Sequence, residues 1–204
     1  MEKIKWYGHA SFKISGEKII YIDPWKIHDD EKADMILISH SHYDHFSLED
    51  IKKISMQKTN ILMTPDCSSK LRDVPGKVTL INPGKKYNFD GVEIETTSSY
   101  NINKKFHPKE NEWVGFIINF NGRKIFYSGD TDNIPEIRKL KVDIALIPVS
   151  GTYVMDAKEA ADLVNEMKPK IAIPYHYGDI VGTEQDALKF KKLAKIPVEI
   201  LKKE

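Results

Sequence analysis

His40-Ser41-His42-Tyr43-Asp44-His45 decides how the rest of this chain is read. These six residues hold three of the seven histidines and a carboxylate, in the order H-x-H-x-D-H. Imidazole and carboxylate are the side chains that suit zinc and its neighbours, and four of them this close point to one shared site. The apolar run Asp34-Met35-Ile36-Leu37-Ile38 before them reads as a strand. After them, Ser47 with Asp50 three residues on reads as a helix N-cap, followed by Leu48, Ile51 and Ile54 as an apolar stripe. The ligands therefore fall in a strand-to-helix loop. Residues two apart on an extended segment point the same way, so His40 and His42 are placed to grip one ion. Asp44 and His45 lie one turn further on, placed for a second.

Short strand-like segments precede the loop at Ile4–Tyr7, Ser11–Ile14 and Lys18–Ile22, punctuated by Gly8, by Ser15-Gly16 and by Asp23-Pro24. Beyond it, strands are expected at Asn60–Met63, Val78–Ile81, Lys86–Phe89, Val92–Thr97, Trp113–Phe120 and Lys124–Tyr127. Asp90-Gly91 and Asn121-Gly122 are hairpin turn signals between the last four. The later chain alternates: strand Val142–Ile147, helix Asp156–Lys168, strand Ile171–Pro174, helix Thr183–Lys195, strand Val198–Leu201. Only Ser99–Glu112 reads as a long irregular loop, and such loops inside a compact domain are often functional. Two stretches resemble each other. Lys18-Ile19-Ile20-Tyr21-Ile22-Asp23 precedes the Asp34-led strand, as Lys124-Ile125-Phe126-Tyr127-Ser128-Gly129-Asp130 precedes a strand led by Asp143. A two-halved architecture would produce this, and so would chance similarity between buried strands.

Composition bounds the partners. The 204 residues, 41% hydrophobic and 30% charged, suit one well-buried domain spanning 1–204. A formal net charge of +1 gives no global pull toward nucleic acid or an anionic membrane, so neither is expected as a partner. The opening Met1-Glu2-Lys3-Ile4-Lys5 has no apolar leader run, and no stretch reaches membrane-spanning length. A single cysteine, Cys67, rules out an internal disulfide and has no evident activating neighbour. A cytoplasmic enzyme acting on a small molecule is the expectation.

A site begun in one loop must be completed elsewhere. Gly129-Asp130-Thr131 and Pro174-Tyr175-His176-Tyr177-Gly178 each follow an apolar strand, and put Asp130 and His176 at C-terminal strand ends like the first loop. The order H-x-H-x-D-H, then G-D-T, then a late strand-end histidine resembles the metallo-β-lactamase superfamily. The likeness runs from Trp6-Tyr7-Gly8-His9-Ala10-Ser11-Phe12 to Gly178. The start of the chain and the segment from Tyr100-Asn101 through Phe106-His107-Pro108-Lys109 to Trp113-Val114-Gly115 resemble a narrower branch. That branch is related to ascorbate-phosphate lactonase and to N-acylphosphatidylethanolamine phospholipase D.

The resemblance implies an α+β fold, a four-layer αβ/βα sandwich with the metal site at the edge of the paired sheets. It implies that His40 and His42 bind a first ion, that Asp44, His45 and His176 bind a second, and that Asp130 bridges them. Two divalent ions are implied, zinc ahead of manganese or iron. Many superfamily members carry another histidine at the end of the strand that here reads Glu93–Thr97, whereas this chain continues Ser98-Ser99-Tyr100-Asn101. His107, in the long loop, is the nearest further candidate ligand. Asp23 is a candidate to hold a ligand imidazole from behind, with a turn before Pro24 as its plainer reading. His9, Lys105 and Tyr153 are candidates to line the pocket. The implied chemistry is hydrolysis of an ester, lactone or phosphodiester by a metal-bound hydroxide, with Asp44 as the catalytic carboxylate and a small anionic substrate drawn by Lys104, Lys105 and Lys109. An iron-binding redox protein of the same fold, and a non-catalytic metal-binding protein, are the competing readings.

Overall fold

The structure, a computed structural model, describes residues 3–28 and 30–204. Met1 and Glu2, in the stretch read above for a leader, and Asp29 lie outside them. Two compact units are distinguished, Met1–Asn82 with Lys202–Glu204 and Pro83–Leu201.

The first unit is built on a six-stranded mixed sheet in sequential order: β1 (Lys3–Gly8), β2 (Ser11–Ser15), β3 (Ile19–Ile22), β4 (Met35–Ile38), β5 (Asn60–Met63) and β6 (Lys77–Leu80). The pairs β1–β2 and β2–β3 are antiparallel, while β3–β4, β4–β5 and β5–β6 are parallel. All four residues of β4 are buried, as expected of a parallel strand covered on both faces. A single helix, α1 (Leu48–Ile54), lies between β4 and β5. It starts where expected, at Ser47, whose hydroxyl accepts the Asp50 N–H. Its Ile51 and Ile54 join Tyr21, Ile36, Ile38, Ile61, Met63 and Cys67 in one buried cluster.

The second unit carries another six-stranded mixed sheet, in the spatial order β12-β11-β10-β9-β8-β7. Its strands are β7 (Lys86–Phe89), β8 (Val92–Ser98), β9 (Val114–Phe120), β10 (Arg123–Tyr127), β11 (Ile144–Pro148) and β12 (Ile171–Tyr175), with helices α2 (Ala157–Met167) and α3 (Glu184–Leu193). Asp90 and Gly91 have φ of 50° and 88°, and Asn121 and Gly122 of 51° and 75°, the paired positive values of the tight hairpin turn their chemistry predicts. The capping box of α2 is closed by Asp156 and Glu159.

The two similar stretches of sequence share one hydrogen-bond device. In the first unit the Asp34 N–H reaches the Ile19 carbonyl, the Ile19 N–H returns to the Asp34 carboxylate at 2.9 Å, and the Asp34 carbonyl accepts from Asn60. In the second, Asp143 makes the same three bonds with Lys124 and Ile171. Each aspartate opens the central parallel strand and locks it to both neighbours. Strand directions match as well: two antiparallel pairs followed by two parallel ones run through β1–β5 and again through β8–β12. The device locks the starts of these parallel strands in register, and the candidate site residues follow their opposite, C-terminal ends.

One expected element does not form as a strand. Val198–Leu201 makes only an isolated pairing of Val198 with Ala172, through the Ala172 N–H to Pro197 and the Glu199 N–H to Ala172. The next residue of β12 facing that edge is Pro174, which has no N–H to donate, so the ladder stops after one rung. Among the described residues no helix is long and apolar enough to cross a membrane.

The Asp143 device yields a pH test. The Lys124 N–H, and then the Lys170 ammonium 2.7 Å away, hold the Asp143 carboxyl below its usual range. Folding then favours the ionised form, so this stabilisation is present above the ordinary carboxylate pKa near 4 and disappears as pH falls through the lower folded value. Asp143→Asn should cost about 1 kcal/mol in urea unfolding at neutral pH, and its gap from wild type should narrow in acid. A gap that stays constant into acid would contradict this assignment.

Candidate metal centre

Both units carry candidate site residues beyond the ends of their strands. In the first, β3 and β4 end side by side, and Asp23 follows β3 with φ at 43°. Aspartate tolerates this left-handed region better than most residues, yet it is a costly position held only by its surroundings. Here the surroundings are hydrogen bonds. Asp23 Oδ1 accepts the Ser39 N–H at 2.7 Å, and Oδ2 accepts the Ser39 hydroxyl at 2.5 Å and His45 Nδ1 at 2.7 Å. An ionised carboxylate only accepts, so the proton of neutral His45 sits on Nδ1 and its Nε2 presents a lone pair. The Ser39 hydroxyl, having given its proton to Asp23, accepts from His40 Nδ1 at 2.9 Å, which leaves His40 Nε2 as the bare nitrogen. His40 Nε2 lies 3.0 Å from His42 Nδ1. Two imidazole nitrogens bound tetrahedrally to one zinc stand about 3.3 Å apart, so the pair fits a shared ion.

Asp23, His40 and His45 also place ligand atoms within 4.8 Å of one another. We read that trio as a support and not as a coordination site, because it meets through the protonated Nδ1 edges with Ser39 among them. The turn between β1 and β2 brings in His9 (φ 46°), whose Nε2 is 2.8 Å from Asp44 Oδ2. The same carboxylate oxygen is 3.7 Å from His45 Nε2. Asp23 therefore sits behind ligand candidates, and His9 touches the catalytic candidate directly.

In the second unit Asp130 follows β10 through Gly129, where φ is 66° and a Cβ would lie 2.6 Å from the Val114 carbonyl oxygen; only glycine fits. The Tyr175 hydroxyl holds the Gly129 carbonyl at 2.7 Å, and the Ser99 hydroxyl holds that of Asp130 at 3.0 Å. His176 follows β12 with φ at 63°, another left-handed residue at a candidate position. Its Nε2 is 3.0 Å from Asp130 Oδ2, and its Nδ1 is 3.0 Å from the Ser150 hydroxyl.

The long loop between β8 and β9 carries His107 inward. The residue is 1% exposed, and its Nε2 lies 3.2 Å from Asp130 Oδ2. His107 Nδ1 faces the Asn101 side-chain oxygen at 3.1 Å and the Tyr153 carbonyl at 3.2 Å. Both are acceptors, so Nδ1 carries a proton, and in the neutral tautomer Nε2 turns its lone pair toward a carboxylate oxygen. A lone pair facing a carboxylate oxygen at that distance suits a cation between them. The donor chemistry of both units thus fits divalent metal ions.

Tyr153 contributes its carbonyl to this arrangement, while its ring packs edge-on against the half-exposed Phe106 at 4.6 Å. Lys105 is exposed. Its neighbours in the basic loop are engaged by acids: Lys104 with Asp132 at 2.6 Å, and Lys109 with Glu136 at 3.1 Å. Burial pushes the Cys67 thiol up to about 12, and burial with the Glu184 charge pushes the Tyr177 phenol up to about 12. Both stay protonated near neutral pH, which leaves the histidines and carboxylates as the reactive set. Ser39, Asn101 and Ser150, which orient imidazoles, were not singled out as site residues from sequence; their position beside candidate ligands or at the missing strand-end histidine was the available signal.

Two mixed sheets of this order, with histidine and aspartate at the C-terminal ends of parallel strands, define an α+β protein of the metallo-β-lactamase fold. The chain superposes on a metallo-β-lactamase fold protein from Bacillus subtilis with a TM-score of 0.77 at 14% identity, covering 99% of this chain and 97% of that one, a likeness of fold alone. A crystal structure of a protein from Parabacteroides distasonis matches at a TM-score of 0.86 and 31% identity, covering 98% and 94%. A UPF0173 metal-dependent hydrolase from Thermoplasma acidophilum is 35% identical over 210 residues, covering 94% of this chain and 90% of the relative. The profile of the beta-lactamase superfamily domain matches residues 3–176. The chain belongs to this superfamily of metal-dependent hydrolases, the enzyme class expected from its sequence.

Because Asp23 accepts three donors in a dry environment, Asp23→Ala should destabilise the protein by about 2–4 kcal/mol in urea unfolding. A loss under about 1 kcal/mol would show that the network carries little of the fold.

Proposed function

We propose that the protein is a two-metal hydrolase in which His40, His42, Asp44, His45, Asp130, His176 and His107 hold the ions, zinc first among the candidates. One observation carries the reading: oxygen atoms hold the Nδ1 edges of His40, His45 and His107, which turns His40 Nε2 toward His42 Nδ1 and His107 Nε2 toward Asp130. Divalent ions held there supply Lewis acidity and bring the pKa of a water molecule down toward neutrality. Asp44 orients the attacking water and takes up its proton, while His9 Nε2–H fixes the carboxylate oxygen that it meets at 2.8 Å. Asp23 and Ser39 keep His40 and His45 in the tautomers that leave Nε2 bare.

The substrate is a small molecule. With Lys104 and Lys109 engaged by acids, support for an anionic substrate rests on Lys105. Apolar surface, by contrast, adjoins candidate ligands in both units: Tyr43, 65% exposed and packed edge-on against Trp25, and Phe106 against Tyr153. An ester or lactone bearing an apolar group is therefore preferred to a phosphodiester. The single, buried cysteine supports a reducing, cytoplasmic setting.

The test is a panel of aryl esters, lactones and bis(p-nitrophenyl) phosphate, assayed with zinc-loaded and chelator-treated protein. Loaded protein should cleave esters or lactones, chelation should abolish turnover, and Asp44→Asn should lower kcat by about 100-fold or more. Preferential cleavage of the phosphodiester would reverse the substrate order. Metal-loaded protein inert toward all three classes would sink the hydrolase reading.

A further inference from the structure

Asn101 occupies the stretch where a strand-end histidine is missing, and its side chain has a full set of partners. The side-chain oxygen accepts the His107 N–H at 3.0 Å and faces His107 Nδ1 at 3.1 Å. The side-chain nitrogen donates to the Tyr153 carbonyl at 2.9 Å and to Asp132 Oδ1 at 3.1 Å. Two donations and two acceptances leave this buried amide one sensible orientation, because a flip would set its oxygen against two acceptors and its N–H groups against two donors. Asp132 is itself fixed, by the Ile102 N–H at 2.8 Å and the Lys104 ammonium at 2.6 Å. The main chain closes the same loop, since the Asn101 N–H reaches the His107 carbonyl at 2.7 Å. Residues 102–106 thus form a small loop closed at its base by Asn101 and His107.

We propose that Asn101 is the positioning residue that makes His107 a metal ligand: it holds the ring toward Asp130 and fixes the proton on Nδ1, so that Nε2 is the coordinating atom. The proposal rests on the reading that His107 and Asp130 share an ion. A histidine on a loop this long would otherwise lose orientational freedom on binding metal, and ligand groups left to wander bind weakly. With Asn101 in place, ring angle and tautomer are set before the ion arrives. Asp132 and Lys104 act one step further back, by keeping the amide from turning.

The test has two readouts, neither of them activity. Zinc affinity is measured by chelator competition for wild type, Asn101→Ala and His107→Ala, with thermal midpoints as a check on folding. Asn101→Ala should bind zinc about 10–100-fold more weakly than wild type, approaching the loss seen in His107→Ala. Affinity kept in Asn101→Ala but lost in His107→Ala would overturn this inference and leave the ligand reading standing. Affinity unchanged in both would overturn the ligand reading and the inference with it. The second readout needs no variant. In zinc-loaded, 15N-histidine-labelled wild type, long-range proton–nitrogen correlations should show His107 with its proton on Nδ1 and Nε2 as the coordinating nitrogen. A proton on Nε2, or a mixture of tautomers, would overturn the proposal even where Asn101→Ala fails to fold.

Discussion

A buried carboxylate that must be satisfied organises the first unit. Asp23 is fully enclosed, sits in a left-handed backbone conformation, and meets donors where the β3 and β4 ends lie side by side. Ser39 and His45 supply those donors, and through Ser39 the same charge reaches His40. An unpartnered carboxylate at this depth would cost several kcal/mol, so folding and the orientation of two candidate ligands are one requirement. The strain at Asp23 is tolerated because three hydrogen bonds over-determine its position.

The second unit reaches the same kind of arrangement by a different local route. Parallel pairing of β10, β11 and β12, opened by Asp143, delivers Asp130, Ser150 and His176 from neighbouring strand ends. The unit's second imidazole comes from a loop, so an amide does for His107 what a carboxylate and a hydroxyl do for His45 and His40. The difference has an electrostatic meaning. A neutral amide oxygen leaves its imidazole less electron-rich than a carboxylate does, and so a somewhat poorer ligand, but it adds no further negative charge to a region that already holds Asp130 and Asp132.

What could be read from the sequence was local. Asp90-Gly91 and Asn121-Gly122 announced their turns because positive φ is a property of those residues themselves. The H-x-H-x-D-H loop announced a metal site because ligand chemistry is dense within six residues, and the repeated Asp-led strands carried their bonding device in their own composition. What stayed hidden was set at a distance. The segment Val198–Leu201 has the composition of a strand, but Pro174 on the neighbouring strand lacks the N–H that would have continued the ladder. His107 was legible only as the nearest further candidate ligand, because its partners, Asn101 and the carbonyl of Tyr153, act through loop closure and a backbone atom 46 residues away. A carbonyl has no side-chain identity to read.

The loop that carries His107 also separates two duties that a shorter connection would merge. Its base, Asn101 with His107, is buried and cross-linked to Asp132 and to the Tyr153 carbonyl, whereas Ile102, Lys105 and Phe106 at its crown face solvent. The bonds described for the His107 ring run to the base of the loop and to Tyr153; the Ile102 contribution is its main-chain N–H to Asp132. Substitutions there can alter what the loop offers a substrate while the imidazole keeps its angle and tautomer. Asn101, Asp132 and Gly129 have no such freedom, since each is fixed by buried hydrogen bonds or by a close backbone approach. A ligand moved from a strand end onto a loop thus keeps a rigid footing, and its loop gains a surface that can change without disturbing it.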